Sequence, residues 1–254
     1  MHPFLRVERA GEVQTVTLTN PAKRNAQTPS VWRALAQVAA STPAHIRVVV
    51  LRGEGQSFSA GLDRRMLLPG GVAGEPDMMS VAAASTGAME ELIEDFQRGF
   101  TAWAQLPAVV VAAVQGHAIG AGFQLALAAD LRVVADDVQL AMRETALGMV
   151  PDLGGTGPLV HLVGYSRALE ICATGRFVGA QEAVAIGLAS AAVPADQLEA
   201  ATADLVAALV ATPREALRAL KPLLRKAVDA PVADQLAEER RVNAGLIAAL
   251  AEGR

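Results

Sequence analysis

Two short segments of this sequence put small residues where backbone amides could do chemistry. "FSAGLDRRM" runs from Phe58 to Met66, and "GHAIGAGFQLALAAD" runs from Gly116 to Asp130. Each places glycine and alanine just after a strand-like run and before a helix-like one. With no bulky side chain there, the backbone can approach a ligand closely. The first N–H groups of a helix have no acceptor within it and lie at the positive end of its dipole. Two such groups converging would bind an oxyanion. A packed glycine-rich turn is the other reading of either segment taken alone. Neither is a phosphate loop, which needs Gly-Lys-Ser/Thr at its end. The glycine spacing also fails the dinucleotide-binding fingerprint. Two further segments carry polar groups that could serve such a site: "NPAKRNA" (Asn20 to Ala26) and "RETALGMVPDLGGTGPLVHLVG" (Arg143 to Gly164).

The elements that must position these segments alternate. "FLRVERAGEVQTVTLTN" reads as two short strands joined at Ala10–Gly11. In "TPSVWRALAQVAA", Thr28 is a candidate N-cap and Pro29 takes the first helical position. "HIRVVVLRG" is a strand, and "LRVVADDVQLAM" gives two more around Asp136–Asp137. Val109 to Val114 is β-branched and reads as a buried strand, Phe123 to Ala129 as a helix. The run from Ala108 to Ala129 holds no charge, but a strand and a helix joined by glycines do not make one membrane-spanning helix. A repeated β-β-α pattern supports an α/β domain. Residues 66–87 are irregular and rich in small residues, and suggest a mobile loop over a pocket. From about Gln197 the chain turns helical, with three helices broken near Pro213 and Pro231 and enough apolar surface to pack on the core or on another subunit.

Composition narrows the function. The chain has 254 residues, 52% hydrophobic and 19% charged, with a formal net charge of −4. A sizeable core can form. The acidic balance argues against nucleic-acid binding, which needs a basic face, but leaves room for a local basic cluster around an anionic ligand. The single cysteine, Cys172, excludes an internal disulfide and reads as a packed thiol. No signal peptide is visible, so a cytoplasmic location is expected. His2, His45 and His161 form no metal-ligand spacing, and no metal is expected.

Together the four segments resemble the crotonase superfamily, the enoyl-CoA hydratases and isomerases, across nearly the whole chain. "FSAGLD" and "GHAIGAGFQLALAADLRVVA" are similar to its two oxyanion-hole segments, "LGMVPDLGGTGPL" to the loop after its second acid, and "NPAKRNA" to its CoA-contacting segment. The resemblance implies a spiral of β-β-α turns over residues 1–196 and an α-helical trimerisation region over residues 197–254. It implies a homotrimer or hexamer acting on an acyl-CoA thioester, with no cofactor beyond the CoA of the substrate. It places the thioester oxygen at the backbone N–H groups of Leu62 and Ala121. For CoA it points to Lys23, Arg24, Ala60, Asp63, Arg64 and Lys221, with Arg65 adjacent. His117 precedes the second turn and is expected to pack rather than act as a base.

The hydratases of that superfamily use two glutamates. Aligned on "GAGFQL", the first falls on Gln124; aligned on "RETALGMVPDLGG", the second falls on Glu144. Glutamine cannot act as an acid or base near neutral pH, though it can hold a water or a carbonyl. One base suffices to move a double bond, so isomerisation by Glu144 is favoured. Hydration, with Gln124 orienting water, is the alternative, and a non-catalytic acyl-CoA-binding protein is another. An RNA-binding role is disfavoured by the charge. Asp152 adds a third candidate, matched by an acid in dienoyl-CoA isomerases. Its bland reading is a helix cap, as that of Glu144 is an ion pair with Arg143 and that of Gln124 a buried amide satisfied by backbone.

Overall fold

A computed structural model describes residues 2–252. In chain order the elements are β1 (Leu5–Ala10), β2 (Val13–Leu18), α1 (Pro29–Ala40), β3 (Val48–Gly53), α2 (Met78–Ala84), α3 (Thr86–Gln105), β4 (Val109–Val114), β5 (His117–Ile119) and α4 (Ala121–Leu127). There follow β6 (Leu131–Ala135), β7 (Gln139–Ala141), α5 (Thr156–Val163), α6 (Tyr165–Thr174), β8 (Val178–Gly179), α7 (Ala180–Ala185), β9 (Ala191–Val193), α8 (Leu198–Ala211), α9 (Arg214–Ala227) and α10 (Val232–Glu252).

Six strands form one sheet in the order β1-β2-β3-β4-β6-β9, antiparallel only between β1 and β2. A smaller sheet runs β5-β7-β8. From β4 onward the chain leaves the large sheet, adds a strand to the small one and returns through helices, while the turns after β2 and β3 contribute only the isolated bridges Gln27–Leu62 and Ser59–Ala118; this is the β-β-α spiral expected from the sequence. The uncharged run is explained by burial on both faces. Val110, Ala112 and Val114 face the main core, while Val109, Val111 and Ala113 face a second cluster. A strand buried on both sides carries no polar alternation.

The main core packs α1 against α3, with Trp32 edge-on to Phe96 and Phe100. The second cluster is closed by α8, whose Leu198, Leu205, Val206 and Leu209 cover the opposite sheet face. The first C-terminal helix therefore serves the core, and the breaks at Pro213 and Pro231 fall between helices as expected. Pro222 lies inside α9 without ending it. No residue of α10 is buried.

Two local expectations need correction. Residues 66–87 are irregular only over 68–77. Met66 and Met78 are buried in the core, and α2 and the start of α3 occupy 78–87. Asp77 accepts from Ser80 N and Ser85 Oγ from Ala88 N, so each helix brings its own cap. Thr28 does occupy the N-cap position of α1 and Pro29 its first turn, but the Thr28 hydroxyl makes no cap bond. Glu75 supplies it, accepting from Ser30 N at 3.0 Å and so tying the 66–87 segment to α1.

Candidate active site

The two glycine turns lie side by side because the strands before them run together. Ser59 N donates to His117 O and Ile119 N to Ser59 O, each at 2.9–3.0 Å. Gly61 has φ +84°, and a Cβ there would fall 2.3 Å from Ile119 O and 3.3 Å from Ala121 N. Only glycine allows that approach. On its other side the Phe58–Asp63 stretch is clamped by "KRNAQ". Ala60 N donates to Arg24 O, Gln27 N to Gly61 O and Asp63 N to Gln27 O, at 2.7–2.8 Å. Among the described residues, neither Leu62 N nor Ala121 N donates to a backbone carbonyl across these turns. Ala121 opens α4, whose first intrahelical bond runs from Gln124 N to Gly120 O. Both N–H groups are thus left for an outside acceptor.

Two buried amides hold this arrangement, and sequence reasoning missed both. Asn25 sits in a left-handed conformation (φ 53°) and bridges the loop below it. Its Nδ2 donates to Glu54 O and Ser57 O, and its Oδ1 accepts from Asn20 N. Gln27 links core to site: its Oε1 accepts from the Trp32 indole at 2.7 Å and its Nε2 donates to Ser59 Oγ at 2.9 Å. Asn25 lay within the "NPAKRNA" segment, and Gln27 one residue past its end carried no signal. At the far end of α4, buried Arg132 donates to Ala126 O, Ala129 O and Leu188 O. Burial lowers its pKa to about 10, and its charge offsets the negative end of the helix dipole.

Glu144 follows β7 and reaches over the second turn. A Cβ at Gly120 would lie 3.2 Å from Glu144 Oε1, so the carboxyl rests on the glycine that precedes Ala121. Glu144 is 9% exposed. Its Oε1 accepts from Gln124 Nε2 at 2.8 Å, while its Oε2 is buried with no hydrogen-bond partner among the described residues. Burial pushes the Glu144 pKa above the ordinary glutamate value. The Asp152 charge adds to that shift, and the Gln124 donation opposes it. The expected ion pair with Arg143 does not form; that guanidinium donates to Gly175 O and stands over the Phe177 ring.

Asp152 is not a helix cap. The N-cap of α5 is Gly155, and no side chain caps it. The Asp152 backbone oxygen accepts from Gln97, and burial raises the pKa of its carboxyl. Glu144 is thus the carboxyl on the second turn, and Asp152, in the loop before α5, is a second carboxyl with a raised pKa whose charge acts on it. Gln124 is 1% exposed and is satisfied by backbone on one side and by Glu144 on the other.

The candidate CoA groups divide. Lys23, Arg24, Arg64 and Arg65 are exposed around the first turn. Asp63 pairs with Arg65 at 2.6 Å and with Lys23 at 3.8 Å. The Arg65 hydrogen bond holds the Asp63 carboxyl below its usual range. The Ala60 N–H is taken by Arg24 O. Lys221 stands apart: its side chain is 7% exposed, pairs with Asp130 at 2.7 Å and donates to Ala108 O at 2.8 Å. Its ammonium is committed inside the protein, where it ties α9 to the core. His117 Nδ1 lies 3.2 Å from Ser57 Oγ and packs between the segments. Cys172 is half-buried, and burial raises its thiol pKa. No metal-binding cluster is present among the described residues, and no described helix is long and apolar enough to cross a membrane.

Known proteins are similar to this chain in sequence and fold. The family model described as enoyl-CoA hydratase/isomerase matches residues 8–253. The 2,3-dehydroadipyl-CoA hydratase of Escherichia coli is 32% identical over 243 residues, 94% of this chain and 88% of the relative. The Mycobacterium tuberculosis protein named probable enoyl-CoA hydratase echA8 is 31% identical over 244 residues, 93% and 86% of the two chains. A Thermobifida fusca protein assigned as an enoyl-CoA hydratase superposes with a TM-score of 0.92 in its complexes with CoA and with acetoacetyl-CoA. Identity is 44% and 45%, covering 98% of this chain and 95% of that one.

Proposed function

Because the chain belongs to the enoyl-CoA hydratase/isomerase family, we propose that this enzyme binds an enoyl-CoA thioester and moves the double bond of its acyl group, with Glu144 carrying the proton. Glu144 Oε2 takes a proton from C2 of a 3-enoyl thioester. The electron pair spreads onto the thioester oxygen, where Leu62 N–H and Ala121 N–H stabilise it. The same carboxyl returns the proton at C4, which leaves a 2-enoyl thioester. Preorganised donors of this kind supply a large part of the rate; loss of one costs about 10²–10³-fold. The raised Glu144 pKa suits a group that must both take and give a proton. CoA phosphates meet the exposed cations around the first turn, Lys23, Arg24 and Arg64, while Ala60 and Asp63 line the approach. The Thermobifida protein that binds CoA and acetoacetyl-CoA supports an acyl-CoA ligand.

The observation that carries this reading is the single buried carboxyl on the Gly120 turn with one oxygen unpartnered, beside a non-ionisable Gln124. A second reading, hydration of a 2-enoyl thioester, is favoured by the Asp152 carboxyl, which offers a second proton-transfer group, and by relatives named as hydratases. Incubation with matched 3-enoyl-CoA and 2-enoyl-CoA substrates separates the two. Isomerisation predicts conversion of the first without net water addition; hydration predicts a 3-hydroxyacyl product from the second. Tight acyl-CoA binding without turnover of either would contradict both.

A further inference from the structure

The Gln124 amide has one permitted orientation. Leu153 N and Gly155 N both point at it, at 2.9 and 3.2 Å. Two donors can face only the carbonyl oxygen, so the amide nitrogen must face Glu144, 2.8 Å away. The loop is packed hard against this side chain: a Cβ at Gly155 would lie 2.7 Å from Gln124 Cγ. We propose that Gln124 is a positioning residue that fastens the 153–155 backbone, just past Asp152, to α4 and holds Glu144 by Oε1, which leaves Oε2 as the oxygen free of hydrogen bonds. This rests on the reading of Glu144 as the proton carrier. A buried carboxylate oxygen with no donor is costly, and a proton-bearing substrate carbon at Oε2 would give it a role. An ionised glutamate at position 124 would still accept from both loop amides. It would also put a second carboxylate against Glu144, and the pair would have to share a proton.

Gln124→Glu therefore keeps the loop anchor and removes the donor, while Gln124→Met removes both. The Glu144 carboxyl is followed by 13C NMR in glutamate-labelled protein, its signal assigned by its loss in Glu144→Gln. In both variants Glu144 should titrate at higher pH than in the wild type. In Gln124→Met, kcat should fall about 10- to 100-fold, as a misplaced catalytic group does, with KM within threefold. Gln124→Glu should fold but melt below the wild type at neutral pH, since it buries a second carboxyl beside Glu144. An unchanged Glu144 titration in both variants overturns the proposal, whether or not Gln124→Met melts lower. If Gln124→Met does not fold, Gln124→Glu decides by the same titration. Turnover that survives Glu144→Gln sinks the proton-carrier reading instead, while the titration still judges the clamp.

Discussion

Glu144 is held in a place that suits the proposed proton transfer better than the stability of the fold. Its folded-state pKa is raised by burial, so the fold prefers the neutral acid. That preference is fully present below the unfolded-state value and is lost as pH rises through the folded-state value. Near neutral pH an ionised Glu144 therefore costs stability, and Glu144→Gln should melt higher than the wild type there, with the gap closing toward acid pH. A relief of about 1 kcal/mol would appear as about 2–4 °C. Thermal melts across pH check this, and a lower Tm for the variant at neutral pH would contradict it. At this scale the sequence was legible where a motif fixed spacing: Glu144 and Gln124 fall on the second turn as the segments predicted. Asn25 and Gln27 were not legible, because each acts through contacts with distant segments that no local pattern reports. Asp152 sat before a glycine pair like a cap, but α5 begins only at Thr156.

The two turns depend on strand pairing as much as on their own glycines. Gly61→Ala combines a positive φ with a backbone clash at Ile119 O. It should separate the turns and lower kcat/KM by about 10²-fold or more, the cost of losing one oxyanion donor, with far-UV circular dichroism unchanged. Wild-type kcat/KM in that variant would refute the role of the turn. Lys221 predicts a different pattern. Truncating Lys221 removes one of the two cations on Asp130, since Arg225 stays at 3.3 Å, so the cost falls below the about 3–5 kcal/mol of a buried pair left with no partner. Lys221→Ala should thus lower the urea midpoint measurably while the KM for acyl-CoA stays within twofold. A raised KM at unchanged stability would return Lys221 to the CoA site. Helix and strand periods made the valine strands and the C-terminal helices readable. The 66–87 stretch was misread because its helices depend on caps at Asp77 and Ser85 and on Met66 and Met78 entering a core built by α1 and α3.

At the scale of the molecule, α10 has no buried residue, and Val232, Leu236, Ile247 and Leu250 are exposed along it. With the trimer implied by the resemblance, these residues predict that the chain self-associates. Sedimentation should give a species three or six times the chain mass, and Leu236→Asp with Leu250→Asp should reduce it. A wild-type monomer at micromolar concentration would contradict that. How far the helical region belongs to the core was hidden in the sequence, because the apolar face of α8 reads the same whether it meets its own sheet or a neighbour.

The role proposed for Glu144 is to carry the proton alone between two carbons of a bound enoyl thioester. Its most direct test is the conversion of 3-enoyl-CoA to 2-enoyl-CoA by the wild type and by Glu144→Gln, the variant first shown to be folded. Conversion by the wild type is expected, with a loss of about 10²-fold or more in the variant. Equal rates in the two proteins would contradict it.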